Sequence, residues 1–311
     1  MEVLEDGGSA SAAGCAVTIG AYDGVHLGHQ YVIGQVRALA AERRLASAVV
    51  TFDRHPATVV RPGSAPKLLT DLDQKLELLA AAGVDCCLVI RFDQARSEES
   101  AEDFVTTVLA DQLHARAVVV GQDFHFGHAR QGDVALLQRM GAQLGFVVDG
   151  LNLVGPDDGS PPVSSTRIRH LLAEGAVQAA AGLLGRDHTV AGVVSRGDGR
   201  GRELGFPTAN VAVPADICLP ADGIYAGWYR GPDGPARPAA LSLGRRPTFY
   251  DHSESSLLEA YLLDFDGDLY DQPAAVSFHA RIRAEERFES IDQLVAQIDR
   301  DVIATREALA G

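Results

Sequence analysis

Residues 17–40 join a short apolar run, Val17, Thr18 and Ile19, to a stretch in which Val32, Ile33, Val36, Leu39 and Ala40 recur at helical spacing. The connection, residues 20–30, reads GAYDGVHLGHQ. A strand that turns through glycines into an amphipathic helix is a βα unit, and its parallel strand needs helices on both faces to be buried. The chain supplies further units. Ala48 to Phe52 is β-rich, and Thr70 or Asp71 can cap a helix over Leu72, Leu76 and Leu79 that Gly83 stops. Cys86 to Arg91 reads as a strand, Ser100 to Leu113 as a helix, and Ala117 to Val120 as a β-branched run. The expectation is a parallel sheet wrapped by helices, with ligands at the carboxyl ends of its strands.

Near Gly185 the pattern changes. Short β-like runs at 189–195, 223–229, 239–243, 257–263 and 275–281 follow, punctuated by glycine and proline, and suit a small barrel. A final helix carries Ile291, Leu294, Val295, Ile298 and Val302 on one face and is expected to pack on that barrel. The chain therefore reads as a flexible tail over 1–14, an α/β domain over 15–184 and a β domain over 185–311. No fixed-period repeat is present.

The charge balance narrows the partners. A net charge of −15 argues against a nucleic-acid backbone or an anionic membrane surface, both of which need basic surface. No apolar run approaches the roughly 18 residues needed to cross a bilayer, and the acidic start lacks a signal sequence, so a cytoplasmic location is expected. Cys15, Cys86, Cys87 and Cys218 show no CxxC spacing and are read as reduced core residues.

Anionic ligands must then be held by local features, and two stretches have the means. In the first βα turn, Gly24 and Gly28 let the backbone approach a phosphate, with Gly20 and Asp23 counted among the nucleotide contacts. His26 and His29, three apart at a helix start, can both reach a triphosphate beside unpaired N–H groups. On this motif alone, two surface histidines in a glycine-rich loop is an equal alternative. Ser164, Ser165 and Thr166 open a second helix either as caps or as phosphate ligands, with Arg169 nearby. His55, at a strand end, is either a nucleotide contact or a loop residue without a role. The other stretch, GDGRGRELGFPTAN over 197–210, supplies Gly197, Asp198, Gly199, Arg200, Gly201 and Arg202 for phosphate, then a turn bearing Thr208 and Asn210, oxygen donors suited to a hard cation such as Mg²⁺. Glu259, between apolar Leu258 and Ala260, is either paired in a satisfied network or a general base.

Taken in order, from about residue 16 to 303, these strings resemble the bacterial bifunctional riboflavin kinase and FAD synthetase family. The resemblance implies a Rossmann-like nucleotidyltransferase domain followed by a small flavokinase barrel with a carboxyl-terminal helix. It implies phosphorylation of riboflavin to FMN with ATP and Mg²⁺, then adenylylation of FMN to FAD with release of pyrophosphate and no covalent enzyme intermediate. By the same resemblance His26, His29 and Arg169 stabilise charge, Ser165 and Thr166 hold phosphate, and Asp123 and Phe124 position the flavin substrate. In the second half Thr208 and Asn210 hold the metal, Glu259 is the base, and Arg283, Glu286 and Arg287 border the flavin. Asp264, Asp266 and Asp268 fall in a hairpin and are given no metal. The chain departs from the pattern at Ala21, Tyr22, Arg54, His125, where arginine is usual, Arg245 and Arg246. Those departures leave open a specialised paralogue with one half impaired or a different substrate, and a flavin carrier without turnover.

Overall fold

Hydrophobic β runs in the first half align in parallel in the computed structural model, which describes residues 1–10, 13–152, 162–197, 201, 204–232, 234–245 and 256–310. The strands are β1 (Glu2–Glu5), β2 (Cys15–Ile19), β3 (Ala46–Phe52), β4 (Cys86–Ile90), β5 (Ala115–Gly121) and β6 (Val147–Leu151). Their order is β1-β4-β3-β2-β5-β6, so the direction of winding reverses between β2 and β5. A crevice opens at the carboxyl edge at such a reversal. All five residues of β2 are buried, as a central parallel strand covered on both faces requires.

Helices α1 (Leu27–Arg43), α2 (Ala57–Val60), α3 (Leu72–Ala81), α4 (Gln94–Ser97), α5 (Ala101–Phe104) and α6 (Val134–Leu144) connect these strands, and α5 runs on as a π-helix over Val105–Gln112. Asp71, Asp93, Ser100 and Asp133 each cap a helix by accepting from the backbone N–H three residues on.

The second half forms a closed antiparallel barrel. Its strands are β7 (His188–Ser195), β8 (Ala209–Ala212), β9 (Gly223–Arg230), β10 (Arg237–Arg245), β11 (Ser256–Leu262) and β12 (Pro273–Arg283), in the order β10-β11-β8-β7-β12-β9. Helices α7 (Ser165–Ala173) and α8 (Val177–Leu184) precede it, and α9 (Ile291–Leu309) packs on β9, β10 and β12.

Three expectations are corrected. Residues 2–5 are an edge strand and not a mobile tail: β1 pairs with β4, Leu4 packs on the core, and Asp6 forms an ion pair with Arg96 at 2.9 Å. Ala209 and Asn210 belong to strand β8 and not to a turn, because β11 supplies backbone partners to both and β7 to Asn210. The segment carrying Asp264, Asp266 and Asp268 is no hairpin, since β11 and β12 are not neighbours in the barrel; Asp264 instead pairs with Arg306 at 2.7 Å. By backbone contacts the compact units are Met1–Ser164 and Ser165–Gly311, with α7 and α8 in the second. The tie is direct: Ala221 N–H donates to Leu172 O at 2.8 Å and Arg281 Nη1 to Glu174 O at 3.1 Å.

Candidate active sites

In the α/β unit the turn after β2 is tightly wound. Tyr22, Gly24 and Val25 have φ of 49°, 82° and 38°. A β-branched residue such as Val25 seldom adopts that left-handed conformation, so the loop stores strain, which is concentrated where function needs a fixed geometry. The turn is held from below. Asp23, 5% exposed, accepts from Leu69 N at 2.8 Å and Thr70 N at 3.2 Å, while Gly24 N donates to Thr70 Oγ1 at 3.1 Å. Gly20 N donates to Val50 O at 3.0 Å. Asp23 and the Gly20 and Gly24 amides, expected as nucleotide contacts, are thus engaged in shaping the loop.

His26 is the N-cap of α1: its Nδ1 accepts from His29 N at 3.3 Å. The two imidazoles stack, with centroids 3.6 Å apart and planes 13° from parallel. Gly28 makes the stack possible, because a Cβ there would stand 3.2 Å from the His26 ring. Burial above all, with His26 and Lys75 adding to it, holds His29 well below the usual imidazole range. His29 is therefore neutral, and its buried Nδ1 has no hydrogen-bond partner among the described residues. These histidines are not loose surface groups.

A cavity of about 890 Å³ opens at the carboxyl ends of β2 to β5, walled by Ala21, Phe52, His55, Phe92, Phe124 and Phe126, with His26 and His29 outside its lining. Phe124 and Phe126 stack at 5.4 Å, giving a flat apolar wall of the kind that suits an aromatic ring. Asp123 lies outside the lining, and its carbonyl accepts from His125 Nδ1 at 2.8 Å. Arg61 and Arg130 also reach the cavity, a pair that sequence reasoning missed because isolated loop arginines carry no pattern. Ser165, Thr166 and Arg169 stand in α7, which belongs to the other compact unit. Lys75 was missed as well. It is 7% exposed and donates to Phe52 O at 2.8 Å and Ala21 O at 3.3 Å. Its signal was present: it is three residues after Leu72 and four before Leu79, on the apolar face.

In the barrel, strand register assembles the site. Asn210 of β8 lies opposite Glu259 of β11, and Glu259 lies opposite Ser242 of β10. These residues, with Thr208, Gly197, Gly201, Arg283 and Glu286, line a cavity of about 390 Å³ under α9. Arg287, expected beside the flavin, is exposed and outside that lining. Asn210 Oδ1 is buried with no hydrogen-bond partner among the described residues. An orphaned amide oxygen beside a carboxylate and a threonine hydroxyl is a donor set that fits Mg²⁺. Gly197 is required there, since a side chain would collide with the Asn210 amide. Asp198, Gly199, Arg200, Arg202 and Arg246 lie outside the described residues, as does the side chain of Arg245.

Arg283, expected beside the flavin, also ties the barrel to α9. It makes a two-pronged ion pair with Asp301 of α9, at 2.9 and 2.7 Å, which fixes the helix over the cavity. Glu285, not foreseen, also lines the cavity, and burial with the Asp222 charge nearby raises its pKa against the opposing pull of Arg283. A second groove, of about 670 Å³, shares Pro207, Thr208 and Tyr270 with the first. Among the described residues no group of His, Cys, Asp and Glu forms a metal cluster, and no helix is long and apolar enough to cross a membrane. The four cysteines are free and buried; burial first of all pushes the thiols of Cys15 and Cys86 up to about 11 and that of Cys87 to about 12.

Comparison with known proteins agrees with this division. Residues 9–167 match the FAD synthetase family and residues 184–309 the riboflavin kinase family. The Haemophilus influenzae bifunctional riboflavin kinase/FMN adenylyltransferase is 38% identical over 289 residues, covering 93% of this chain and 92% of its own. The Pseudomonas fluorescens protein of the same name is 40% identical over 298 residues, covering 96% and 94%. A Streptococcus pneumoniae crystal structure, described as a macrolide-efflux protein, superposes with a TM-score of 0.87 at 27% identity, covering 98% of this chain and 99% of its own.

Proposed function

The chain belongs to the bifunctional riboflavin kinase/FMN adenylyltransferase family, making FMN from riboflavin and FAD from FMN, and we propose that the barrel phosphorylates while the α/β unit adenylylates. Matches to both families support a chain that carries both halves.

The observation that carries the kinase assignment is the register that sets Glu259 beside the orphaned Asn210 Oδ1 in one cavity. Glu259 takes the proton from the terminal ribityl hydroxyl as its oxygen attacks the γ-phosphorus of ATP; the bond from that phosphorus to the β-phosphate oxygen breaks, and ADP leaves. Thr208 faces both the 390 Å³ cavity and the 670 Å³ groove, which suits a flavin in the first and a nucleotide in the second, meeting at its hydroxyl. Thr208 and Asn210 would hold Mg²⁺, which would supply charge neutralisation at the transferring phosphates. The Arg283–Asp301 pair closes the flavin side with α9, excluding water that would compete for the phosphoryl group.

In the α/β unit a phosphate oxygen of FMN attacks the α-phosphorus of ATP, and the bond to the bridging oxygen breaks to release pyrophosphate. The attacking phosphate is already anionic, so no general base is required. The first turn of α1, the neutral His29 and the capping His26 hold the polyphosphate, while the wall of Phe124 and Phe126 takes the flavin ring.

Glu259→Gln separates the assignments. FMN formation from riboflavin should fall at least a hundredfold, with adenylylation of supplied FMN unchanged, as chromatography of both products reports. Loss of both activities in a folded variant would contradict the two-site division.

A further inference from the structure

Lys75 is a buried cation that the reaction as described does not use. Both of its hydrogen bonds among the described residues end on backbone carbonyls, Phe52 O at the end of β3 and Ala21 O just past β2. Burial lowers its pKa in spite of the opposing charges of Asp23 and Asp53 nearby, so the ammonium is held there at a cost. Packing does not require the charge, since Leu76 and Leu79 fill the neighbouring positions of α3 with apolar groups. The location explains it better. Ala21 and Phe52 both line the 890 Å³ cavity, and β2 and β3 are paired neighbours in the sheet. Strand-end carbonyls direct negative partial charge toward whatever binds at the carboxyl edge, which opposes a polyphosphate. Lys75 covers two of them, sharing Ala21 O with Thr51 Oγ1 at 3.1 Å, and lies close enough to help hold His29 below the usual imidazole range.

We propose that Lys75 is a positioning residue of the adenylyl-transfer site, tying the loop after β2 to the end of β3 and setting a positive charge behind the His26–His29 stack where the ATP polyphosphate binds. The proposal rests on the assignment of the polyphosphate to the start of α1. Carbonyl oxygens that would repel the nucleotide are occupied, and the strained turn carrying Tyr22 and Val25 is anchored at Ala21.

Lys75→Met and Lys75→Gln in the full chain test it, with KM measured separately for ATP and FMN in the adenylylation reaction. Riboflavin phosphorylation by the same preparation reports whether the rest of the chain is intact. Both variants should raise the KM for ATP about tenfold or more, leave that for FMN and the kinase rate within twofold, and be partly rescued by Lys75→Arg. An ATP KM within twofold of the unmodified enzyme overturns the proposal. So does an equal loss for ATP and FMN with a lowered melting temperature, which marks a merely structural lysine. Should Lys75→Met be insoluble, Lys75→Gln, which keeps N–H donors without charge, decides alone. His29→Ala separates the two levels: unchanged adenylylation there removes the polyphosphate assignment itself, whereas impaired His29→Ala with unaffected Lys75 variants removes only the role of Lys75.

Discussion

Replacing Gly28 with alanine tests the histidine stack with a single methyl group. The added Cβ would stand 3.2 Å from Cε1 and Nδ1 of His26 and 3.3 Å from Val163 O, inside ordinary van der Waals contact. The His26 ring must therefore move by a few tenths of an ångström. Its cap bond to His29 N is already 3.3 Å long and does not survive that shift, at a cost of about 1 kcal/mol. Against this, alanine restricts the unfolded chain and favours helix, which returns roughly 0.4–1 kcal/mol. The stability terms nearly cancel, so the melting temperature should move by no more than about 2–4 °C. Chemistry is less forgiving. A misplacement near 1 Å costs about a hundredfold, so a shift of this size should lower adenylylation about tenfold. The assay is FAD formation from supplied FMN and ATP, with FMN formation from riboflavin in the same sample as the reference. Unchanged adenylylation would refute the argument that His26 must be held in place by the space over Gly28. An equal fall in both activities would instead mean that the methyl group acts by unfolding.

Two further outcomes follow from other parts of the chain. Asn210→Ala removes the orphaned Oδ1 and should raise the Mg²⁺ concentration for half-maximal kinase rate at least tenfold, with Asn210→Asp retaining partial response; an unchanged Mg²⁺ titration would exclude the amide from the metal site. Burial drives His188 from 6.5 down to about 4, against a weaker upward pull from its bond to Cys218 O. The unfolded chain then binds a proton that the folded barrel refuses, so His188 costs nothing above pH ~6.5 and removes up to ~3 kcal/mol as the pH falls toward 4. Urea midpoints of the barrel between pH 7 and pH 4 should fall less steeply in His188→Asn, and identical slopes would remove His188 as the cause.

What could be read from residues alone was whatever depends on near neighbours along the chain. The βα alternation, the cap at Asp71, the helices that begin near Gly28 and near Ser100, and the change of pattern near Gly185 all rest on spacings of a few residues, and each is found in the structure. What the sequence could not decide was pairing across distance. Ala209–Ala212 has too little apolar alternation to announce a strand; it is one because Val194, Ser195 and Glu259 bring backbone partners to it. That pairing places Asn210 opposite Glu259, two side chains 49 residues apart in sequence whose meeting is a matter of register. Glu2–Glu5 likewise became a strand only because β4 offered an open edge, and α7 joined the barrel through backbone bonds to Leu172 and Glu174. Lys75 shows the same limit in one residue. Its place on an apolar helix face was written in the sequence, but the carbonyls of Ala21 and Phe52 that give its charge a purpose come from two other strands. Local free-energy preferences select the elements; the partners that satisfy their remaining hydrogen bonds and charges are supplied only when distant segments fold together.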